Sequence, residues 1–422
     1  MSLGYSLILF LIVSLVAGLP LFVILGMVAT LCYTFQGNAD LVDVIEDIYY
    51  AADKEVLLAI PLFILAGNLM THGAIARRLI RIAASITAPL PAGLGVAAVL
   101  SCTLFAAISG SSPVTLIAIG TMMYPALVEA GYSRGFSVGL LASAGTLGII
   151  IPPSIPMIIF SIMASVPVTD MFIAGIFPGL LLSAILMCYA MYHGRKMPRG
   201  RWSTPEFLAA LKSGFLSLLV PLIILGGIYS GFFTATEAAA IAVAVALIIE
   251  LGIYRELKLP LVWKSMTDTT EMLGMIFFIL LFAVSFNKYL IIEQIPQNLV
   301  QDMSSVITSR YGFLIVVNIL LLIAGCFMDI MSAILVFAPL LTPMALHYGI
   351  HPVHFGIIMI VNLEIGYLTP PLGINLFVAA AAFKLPLGEV IRSSIVPALM
   401  LLGGLVVVTF WPELSLFLVP GK

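Results

Sequence analysis

Charged residues are scarce in this sequence. Asp, Glu, Lys and Arg make up only 9% of its 422 residues, whereas soluble proteins contain about 25%. Hydrophobic residues make up 62%, and the mean hydropathy is +1.20. This composition excludes a water-soluble chain and predicts a protein that crosses the membrane several times. The net charge is −2 and there is no basic tract, so binding to nucleic acid is not expected.

The sequence also lacks the motifs of disulfide frameworks and membrane enzymes. It contains no His-Glu-x-x-His, Gly-x-Ser-x-Gly or Walker sequence, so neither catalysis nor ATP hydrolysis is expected. Its cysteines fall singly in apolar segments, which favours buried free thiols over disulfides or a metal site; they are Cys32, Cys102, Cys188 and Cys326.

Three histidines occur close together, but their surroundings argue against a metal site. Gly349 and Pro352 interrupt the helix that would align His347, His351 and His354. We therefore expect these histidines to be polar residues on the outer rim of the protein.

Two apolar segments are each broken by a pair of prolines. Residues Gly145–Ser154 read Gly-Thr-Leu-Gly-Ile-Ile-Ile-Pro-Pro-Ser, and Gly366–Pro371 repeats the Gly-x-x-x-Pro-Pro spacing. Adjacent prolines cannot continue a helix, because two N–H donors are missing and the preceding residue is pushed out of the α region. Lipid tolerates such a break only where the backbone is buried in protein or lines a cavity. The breaks therefore predict a site for an ion or a polar solute.

Glycines and prolines recur at a constant spacing of 218 residues without a gap. Because these residues set backbone geometry, the register predicts an internal duplication. The first set is Pro125, Gly131, Gly148, Pro152 and Pro153, and the second is Pro343, Gly349, Gly366, Pro370 and Pro371.

Each half also contains a predicted re-entrant hairpin. Gly95–Val128 consists of two apolar pieces, each too short to cross the membrane alone, joined by a small polar tip at Ser109–Pro113. Phe313–Leu346 corresponds to it, with a tip near Cys326–Ser332. We assign residues 1–94 and 215–310 to scaffold and arm helices, 95–165 and 311–386 to a hairpin with a broken helix, and 166–214 and 387–422 to the last span of each half.

The lysines and arginines predict the orientation of the chain. With an outer N-terminus and five crossings per half, hairpins not counted, all but four of the 18 Lys and Arg lie on the inner side; the exceptions are Lys54, Lys288, Arg310 and Lys422. An odd number of crossings makes the halves inverted repeats and places both termini outside. The predicted fold is an all-α polytopic membrane protein of two inverted repeats, typical of alternating-access transporters.

The hairpin tips and the breaks are expected to meet near the membrane centre. Freed carbonyls and half-helix ends there would supply ligands for Na⁺ and for a substrate carboxylate. The alternative is that small residues at these places only permit close helix packing. Side chains predicted to contact substrate are Ser111, Ser112, Thr146 and Ser154 in the first half, with Asp329 and Ser332 in the second.

Several polar residues have two interpretations from the sequence. Asp329 either ligates Na⁺ or caps the helix that follows it. Asn362 and Glu364 either line the pathway or form hydrogen bonds between helices. Thr234 and Glu237 have the spacing of a capping box at the start of a span, which favours a helix N-cap over a direct role in transport.

Four motifs together resemble the large membrane subunit of tripartite ATP-independent periplasmic (TRAP) transporters, and the resemblance covers nearly the whole chain. The motifs are Ile60–Gly67, Phe105–Ser112, Gly145–Ser154 and Thr234–Ala240. The resemblance implies Na⁺-driven uptake of organic acids, such as C4-dicarboxylates or sialic acid, across a bacterial inner membrane. It also implies an elevator mechanism, in which the hairpins and broken helices move against a scaffold.

The same resemblance implies partners and ion ligands. The partners are a periplasmic substrate-binding protein and a small four-helix membrane subunit, expected as a separate chain because this sequence begins with the first span of the large subunit. The Na⁺ ligands would lie near Ser109, Gly110, Gly145, Gly148 and Ile151 in one site, and near Gly325, Met328, Gly366 and Thr369 in another. Alternatives are a stand-alone carboxylate carrier coupled to Na⁺ or H⁺ and, more remotely, an intramembrane enzyme or a receptor scaffold.

Overall fold

The computed structural model describes residues 19, 21–35, 41–195, 197, 199–371 and 373–420. Every regular element within these ranges is helical. Nine of the described helices are long and apolar enough to cross a membrane. The predicted all-α polytopic membrane protein is thereby confirmed. The apolar run Gly4–Phe35 has a length that fits a tight pair of short spans, and its first part lies outside the described residues.

Scaffold and arm helices precede the hairpin in each half. The longest of these helices, Leu259–Ile292, has 34 residues, more than the roughly 20 that a membrane crossing needs. The helices of the first half are Leu21–Phe35, Leu41–Ala52, the 3₁₀ turn Glu55–Leu58 with Ala59–His72, and Ile75–Thr87; those of the second are Thr204–Tyr229, Ala235–Leu247 with the π-helical Ile248–Ile253, Leu259–Ile292 and Ile295–Val306.

A helical hairpin and a broken helix follow in each half, and a long helix closes each half. The first broken helix bends by 42° at its break. Hairpin 1 is Gly93–Ser109 with Ser112–Glu129, and broken helix 1 is Arg134–Gly145, Leu147–Ile150 and Ile155–Ala164; hairpin 2 is Arg310–Phe327 with Ile330–His347, and broken helix 2 is Pro352–Gly366 with Ile374–Phe383. The closing helices are Val168–His193 and Leu387–Phe410, the latter followed by Glu413–Leu416.

Helix boundaries follow the spacing seen in the sequence. Ser112–Glu129 and Ile330–His347 both contain 18 residues and begin 218 positions apart. After the breaks the spacing becomes 219, from Ile155 to Ile374 and from Val168 to Leu387. Both Pro-Pro bonds are cis. The two halves thus share one succession of helices, with one extra residue near the second break.

The helices that form the hairpin arms are nearly as long as the hydrocarbon core of a membrane is thick. An 18-residue arm is about 27 Å long, close to the roughly 30 Å hydrocarbon core of a bilayer. The expectation that each piece of Gly95–Val128 is too short to cross alone was wrong for Ser112–Glu129, which is long and apolar enough to span a membrane. Re-entry of the hairpins stays a prediction.

Contacts between the halves are reciprocal. Ile155–Ala164 packs on Ile330–His347 of hairpin 2, and Ile374–Phe383 packs on Ser112–Glu129 of hairpin 1. Such a contact, made twice with the partners exchanged, is the pattern of a two-fold related interface. The hairpins and broken helices therefore interlock across the two halves, and we call these four elements the interlocked unit.

A buried carboxylate holds the arm helix Ile75–Thr87 to the second half. Glu250 is fully buried in the π-helical turn. Its Oε1 accepts hydrogen bonds from the N–H groups of Ala74 and Ile75, both at 2.8 Å, and its Oε2 accepts from Ala74 at 2.9 Å. A Cβ atom on Gly73 would collide with this carboxylate. Glu250 therefore caps a helix from another part of the chain, satisfying donors that a helix start leaves free.

Basic residues of the same arm helix form ion pairs. Arg77 and Arg78 bind Glu256, with N–O distances of 2.9 and 2.8 Å. Arg81 binds Glu206 at 3.0 Å. This arm helix thus directs part of its basic side toward acidic residues of the second half.

Replacing Glu250 by Ala is expected to destabilise the fold by about 2–4 kcal/mol, because two backbone donors lose a buried acceptor. Glu237→Ala is the comparison, since Glu237 belongs to an exposed capping box with Thr234 and its loss is expected to cost about 1 kcal/mol. Equilibrium unfolding in detergent micelles measures both. Equal losses in the two variants would contradict the anchoring role of Glu250.

Candidate functional site

The tip of hairpin 1 is tied to the second part of broken helix 1. The first arm ends at Ser109, and Gly110 takes the left-handed conformation, with φ of +59°, that commonly terminates helices. The N–H of Ile155 donates to the carbonyl oxygen of Gly110 at 3.3 Å. A Cβ atom on Gly110 would lie 2.9 Å from the carbonyl oxygen of Pro153. The tip therefore rests directly on the Pro-Pro break.

Glycines of broken helix 1 permit a close approach to the same hairpin. A Cβ atom on Gly148 would lie 2.5 Å from the Ser111 carbonyl oxygen and 2.6 Å from Thr115 Oγ1. A Cβ atom on Gly145 would lie 2.8 Å from Leu116 Cβ. Close packing, one of the two interpretations from the sequence, is thus observed. It brings Gly145 and Gly148 against the hairpin whose tip contains Ser109 and Gly110.

Hydroxyl groups around this contact are buried and hydrogen-bonded. Ser109 Oγ lies 2.6 Å from Thr115 Oγ1. Thr146 Oγ1 donates to the Ser143 carbonyl at 2.5 Å, and Ser154 Oγ donates to the Ile149 carbonyl at 2.6 Å. A donating hydroxyl keeps its oxygen lone pairs, so these groups remain possible ligands.

The tip of hairpin 2 meets broken helix 2 in a corresponding way. A Cβ atom on Gly366, which is 218 positions after Gly148, would lie 2.5 Å from the Gly325 carbonyl carbon. The N–H of Ile330 donates to Tyr367 Oη at 2.9 Å, and Thr369 Oγ1 donates to the Ile365 carbonyl at 3.0 Å. Met328, the remaining predicted ligand, has an extended conformation at the end of the first arm. Both breaks are therefore in contact with their own hairpin tip.

Asp329 caps the second arm of hairpin 2. Its Oδ1 accepts from the N–H of Ser332 at 3.0 Å, and its Oδ2 accepts from the Ser332 hydroxyl. The capping role considered from the sequence is therefore observed. Substrate contact by Asp329 and Ser332 stays a prediction.

Three fully buried side chains connect hairpin 1 to broken helix 2. Glu364 Oε1 accepts from Ser112 Oγ at 2.7 Å and from Asn375 Nδ2 at 3.2 Å. Asn375 Nδ2 also donates to Ser112 Oγ at 2.6 Å. Sequence reasoning missed Asn375, although a lone amide in an apolar helix was an available signal. We call Ser112, Glu364 and Asn375 the polar triad.

Asn362 forms a hydrogen bond between helices, as one interpretation from the sequence held. Its Nδ2 donates to Asn318 Oδ1 at 2.6 Å. This bond joins broken helix 2 to the first arm of hairpin 2.

The histidine prediction was wrong for His354. Its ring is fully buried, 3.3 Å from Ser415 Oγ and 3.4 Å from the Thr409 carbonyl oxygen. The reason is that Pro352 starts a new helix, and the first turn of that helix faces the closing helix of the second half. His347 and His351 are exposed, as expected. Among the described residues no cluster of three His, Cys, Asp or Glu side chains can hold a metal ion.

Each break borders a cavity, and residues that line the first cavity correspond to residues 218 positions later that line the second. The first cavity, of about 340 Å³, lies beside Ile151 and Pro152. The second, of about 400 Å³, lies beside Thr369 and Pro370, which are 218 positions later. Both cavities are lined mainly by apolar side chains.

Comparison with known proteins agrees with this architecture. Residues 8–414 match the family described as "Tripartite ATP-independent periplasmic transporter, DctM component". The chain is 44% identical over 374 residues to the C4-dicarboxylate TRAP transporter large permease protein DctM of Pseudomonas aeruginosa, covering 88% of each protein. It is 36% identical over 410 residues to the isethionate TRAP transporter permease protein DctMQ of Oleidesulfovibrio alaskensis, covering 96% of this chain and 64% of that protein.

A solved structure shows that the fold is shared more widely. The YdaH transporter of Alcanivorax borkumensis superposes with a TM-score of 0.60 at 16% identity, covering 87% of this chain and 86% of that one. At this identity the similarity concerns the fold alone. The family match and the close relatives establish a transporter subunit rather than an enzyme. The chain therefore belongs to the DctM family, the large membrane component of tripartite ATP-independent periplasmic transporters.

Proposed function

We propose that this protein carries small organic carboxylates into a bacterial cell together with Na⁺, by an elevator movement of the interlocked unit. The observation that carries the proposal is the duplicated contact between a hairpin tip and a glycine-containing break, at Gly148 and again at Gly366. The named substrates of two relatives, C4-dicarboxylates and isethionate, are both small organic anions. C4-dicarboxylates or sialic acid remain our expected substrate class.

The two tip contacts supply the ligands that Na⁺ requires. Na⁺ in broken-helix transporters is coordinated by carbonyls of unwound backbone and by helix ends. The first site comprises Ser109, Gly110, Gly145, Gly148 and Ile151, and the second comprises Gly325, Met328, Gly366 and Thr369. Gly148 and Gly366 bring the tip backbone close enough for one ion to contact both elements. Ion binding would therefore fix each tip on its own break.

The substrate is proposed to bind beside these ions. The hydroxyl and carboxylate groups for it are Ser111, Ser112, Thr146, Ser154, Asp329 and Ser332. In the first half the predicted hydroxyls are buried in the described structure, so substrate reaches them only when the unit exposes this region to one side of the membrane.

An elevator movement requires the interlocked unit to slide along the scaffold. Contact between them includes Gly67 of the scaffold helix Ala59–His72, where a Cβ atom would lie 3.2 Å from Ser109 Cα. The reciprocal packing of the two halves keeps hairpins and broken helices together. The unit would thus move as one body.

The proposed partners are a periplasmic binding protein that delivers the substrate and a small four-helix membrane subunit. The scaffold would bind both, in the bacterial inner membrane with both termini on the periplasmic side. Exposed Phe215 and Leu222 on Thr204–Tyr229 are apolar surface available to a membrane partner.

Uptake into proteoliposomes tests the proposed function directly. The vesicles contain this chain and its small subunit, and binding protein loaded with a radiolabelled carboxylate is added outside. We expect uptake only when the binding protein and an inward Na⁺ gradient are both present. Uptake without the binding protein would instead indicate a stand-alone carrier, and uptake indifferent to Na⁺ would contradict sodium coupling.

Gly148→Ala and Gly366→Ala are each expected to reduce uptake at least about tenfold, because the new methyl group pushes the tip off its break. Gly226→Ala is the matched control, since a Cβ atom there would meet nothing within 4 Å. Initial uptake rates at equal amounts of folded protein give the comparison. Normal uptake in both site variants would show that the tip contacts are not needed for transport.

A further inference from the structure

The polar triad contains two buried acceptor oxygens that lack a donor. Glu364, Asn375 and Ser112 are all fully buried. Glu364 Oε2 and Asn375 Oδ1 have no hydrogen-bond partner among the described residues. The ion pairs formed within the described part of the chain do not include Glu364. The carboxylate thus has hydrogen bonds on one oxygen only and no basic side chain to balance its charge.

Such an arrangement is costly for an ionised carboxylate unless a proton or a cation neutralises it. A buried carboxylate without a cationic partner costs several kcal/mol, and each unpaired buried acceptor adds to the cost. Most buried polar groups in proteins find a partner. A cation that prefers oxygen ligands would satisfy such acceptors, whereas no donor for them lies among the described residues.

We propose that Ser112, Glu364 and Asn375 form a third cation site, which binds Na⁺. One carboxylate balances one positive charge, and all available ligands are hard oxygens, as a monovalent alkali ion prefers. Glu364 Oε2 and Asn375 Oδ1, which have no hydrogen-bond partner among the described residues, would be its ligands. Ser112 Oγ would supply a further lone pair.

The position of this site differs from the two sites of the proposed function. Each of those joins a hairpin to the broken helix of its own half. The polar triad joins the start of the second arm of hairpin 1 to both parts of broken helix 2. An ion here would therefore fasten the two halves to one another. The inference concerns ion binding and does not depend on which substrate is carried.

Equilibrium binding of radioactive sodium to the purified complex in nanodiscs tests the proposal. Glu364→Gln is expected to bind one Na⁺ fewer per chain at saturation than the parent protein. Asn375→Ala retains the carboxylate and is expected to weaken one sodium site about tenfold without changing the number of sites, because a single ligand oxygen is lost. The second variant keeps the test informative if the first does not fold.

Glu250→Gln is the matched control, since Glu250 is equally buried but both of its oxygens accept backbone hydrogen bonds. It should bind as many Na⁺ as the parent. An unchanged number and affinity of sodium ions in Glu364→Gln and Asn375→Ala would overturn the proposal. If the parent protein binds only one Na⁺ and Glu364→Gln binds none, the site at the polar triad is supported. The same result would contradict the two sites proposed near Gly148 and Gly366.

Discussion

A helix that breaks inside a membrane exposes backbone groups that lipid cannot hydrogen-bond, and this protein contains two such breaks. Each is covered by a hairpin tip of its own half, through Gly148 at Ser111 and through Gly366 at Gly325. The glycines are required because any side chain at these positions would separate the tip from the break. The reciprocal packing of hairpins and broken helices from the two halves surrounds these contacts.

In the proposed mechanism, the covering contacts would also supply ligands for the coupling ion. The same unwound backbone that must be shielded from lipid carries carbonyl oxygens suited to Na⁺. Reciprocal packing of Ile155–Ala164 on hairpin 2 and of Ile374–Phe383 on hairpin 1 ties the two breaks into one body. The polar triad adds a charged contact across the same boundary. Under the proposed function, ion binding and the rigidity of the unit would therefore depend on the same region.

Much of this arrangement could be predicted from the sequence because it depends on backbone geometry. Gly148, Gly366 and the Pro-Pro pairs limit what the chain can do locally, and their constant spacing indicates the duplication. Contacts that depend on how helices pack against one another could not be predicted. Asn375 meets Ser112 across 263 positions, and Glu250 caps Ala74 across 176. Neither residue belongs to a local pattern, and His354 was misplaced because its burial depends on a helix more than 50 residues later.

The central claim, that hairpin 1 and broken helix 2 move as one body, is tested by a cross-link between them. Tyr124 of hairpin 1 stacks on Phe383 of broken helix 2, with ring centroids 4.8 Å apart. In a background without native cysteines, Tyr124→Cys and Phe383→Cys can be joined by a short, reducible thiol cross-linker before uptake is measured. The account predicts that the cross-linked protein still transports at the rate of the reduced protein. Uptake that stops on cross-linking and returns on reduction would show that the two elements separate during transport, which contradicts it.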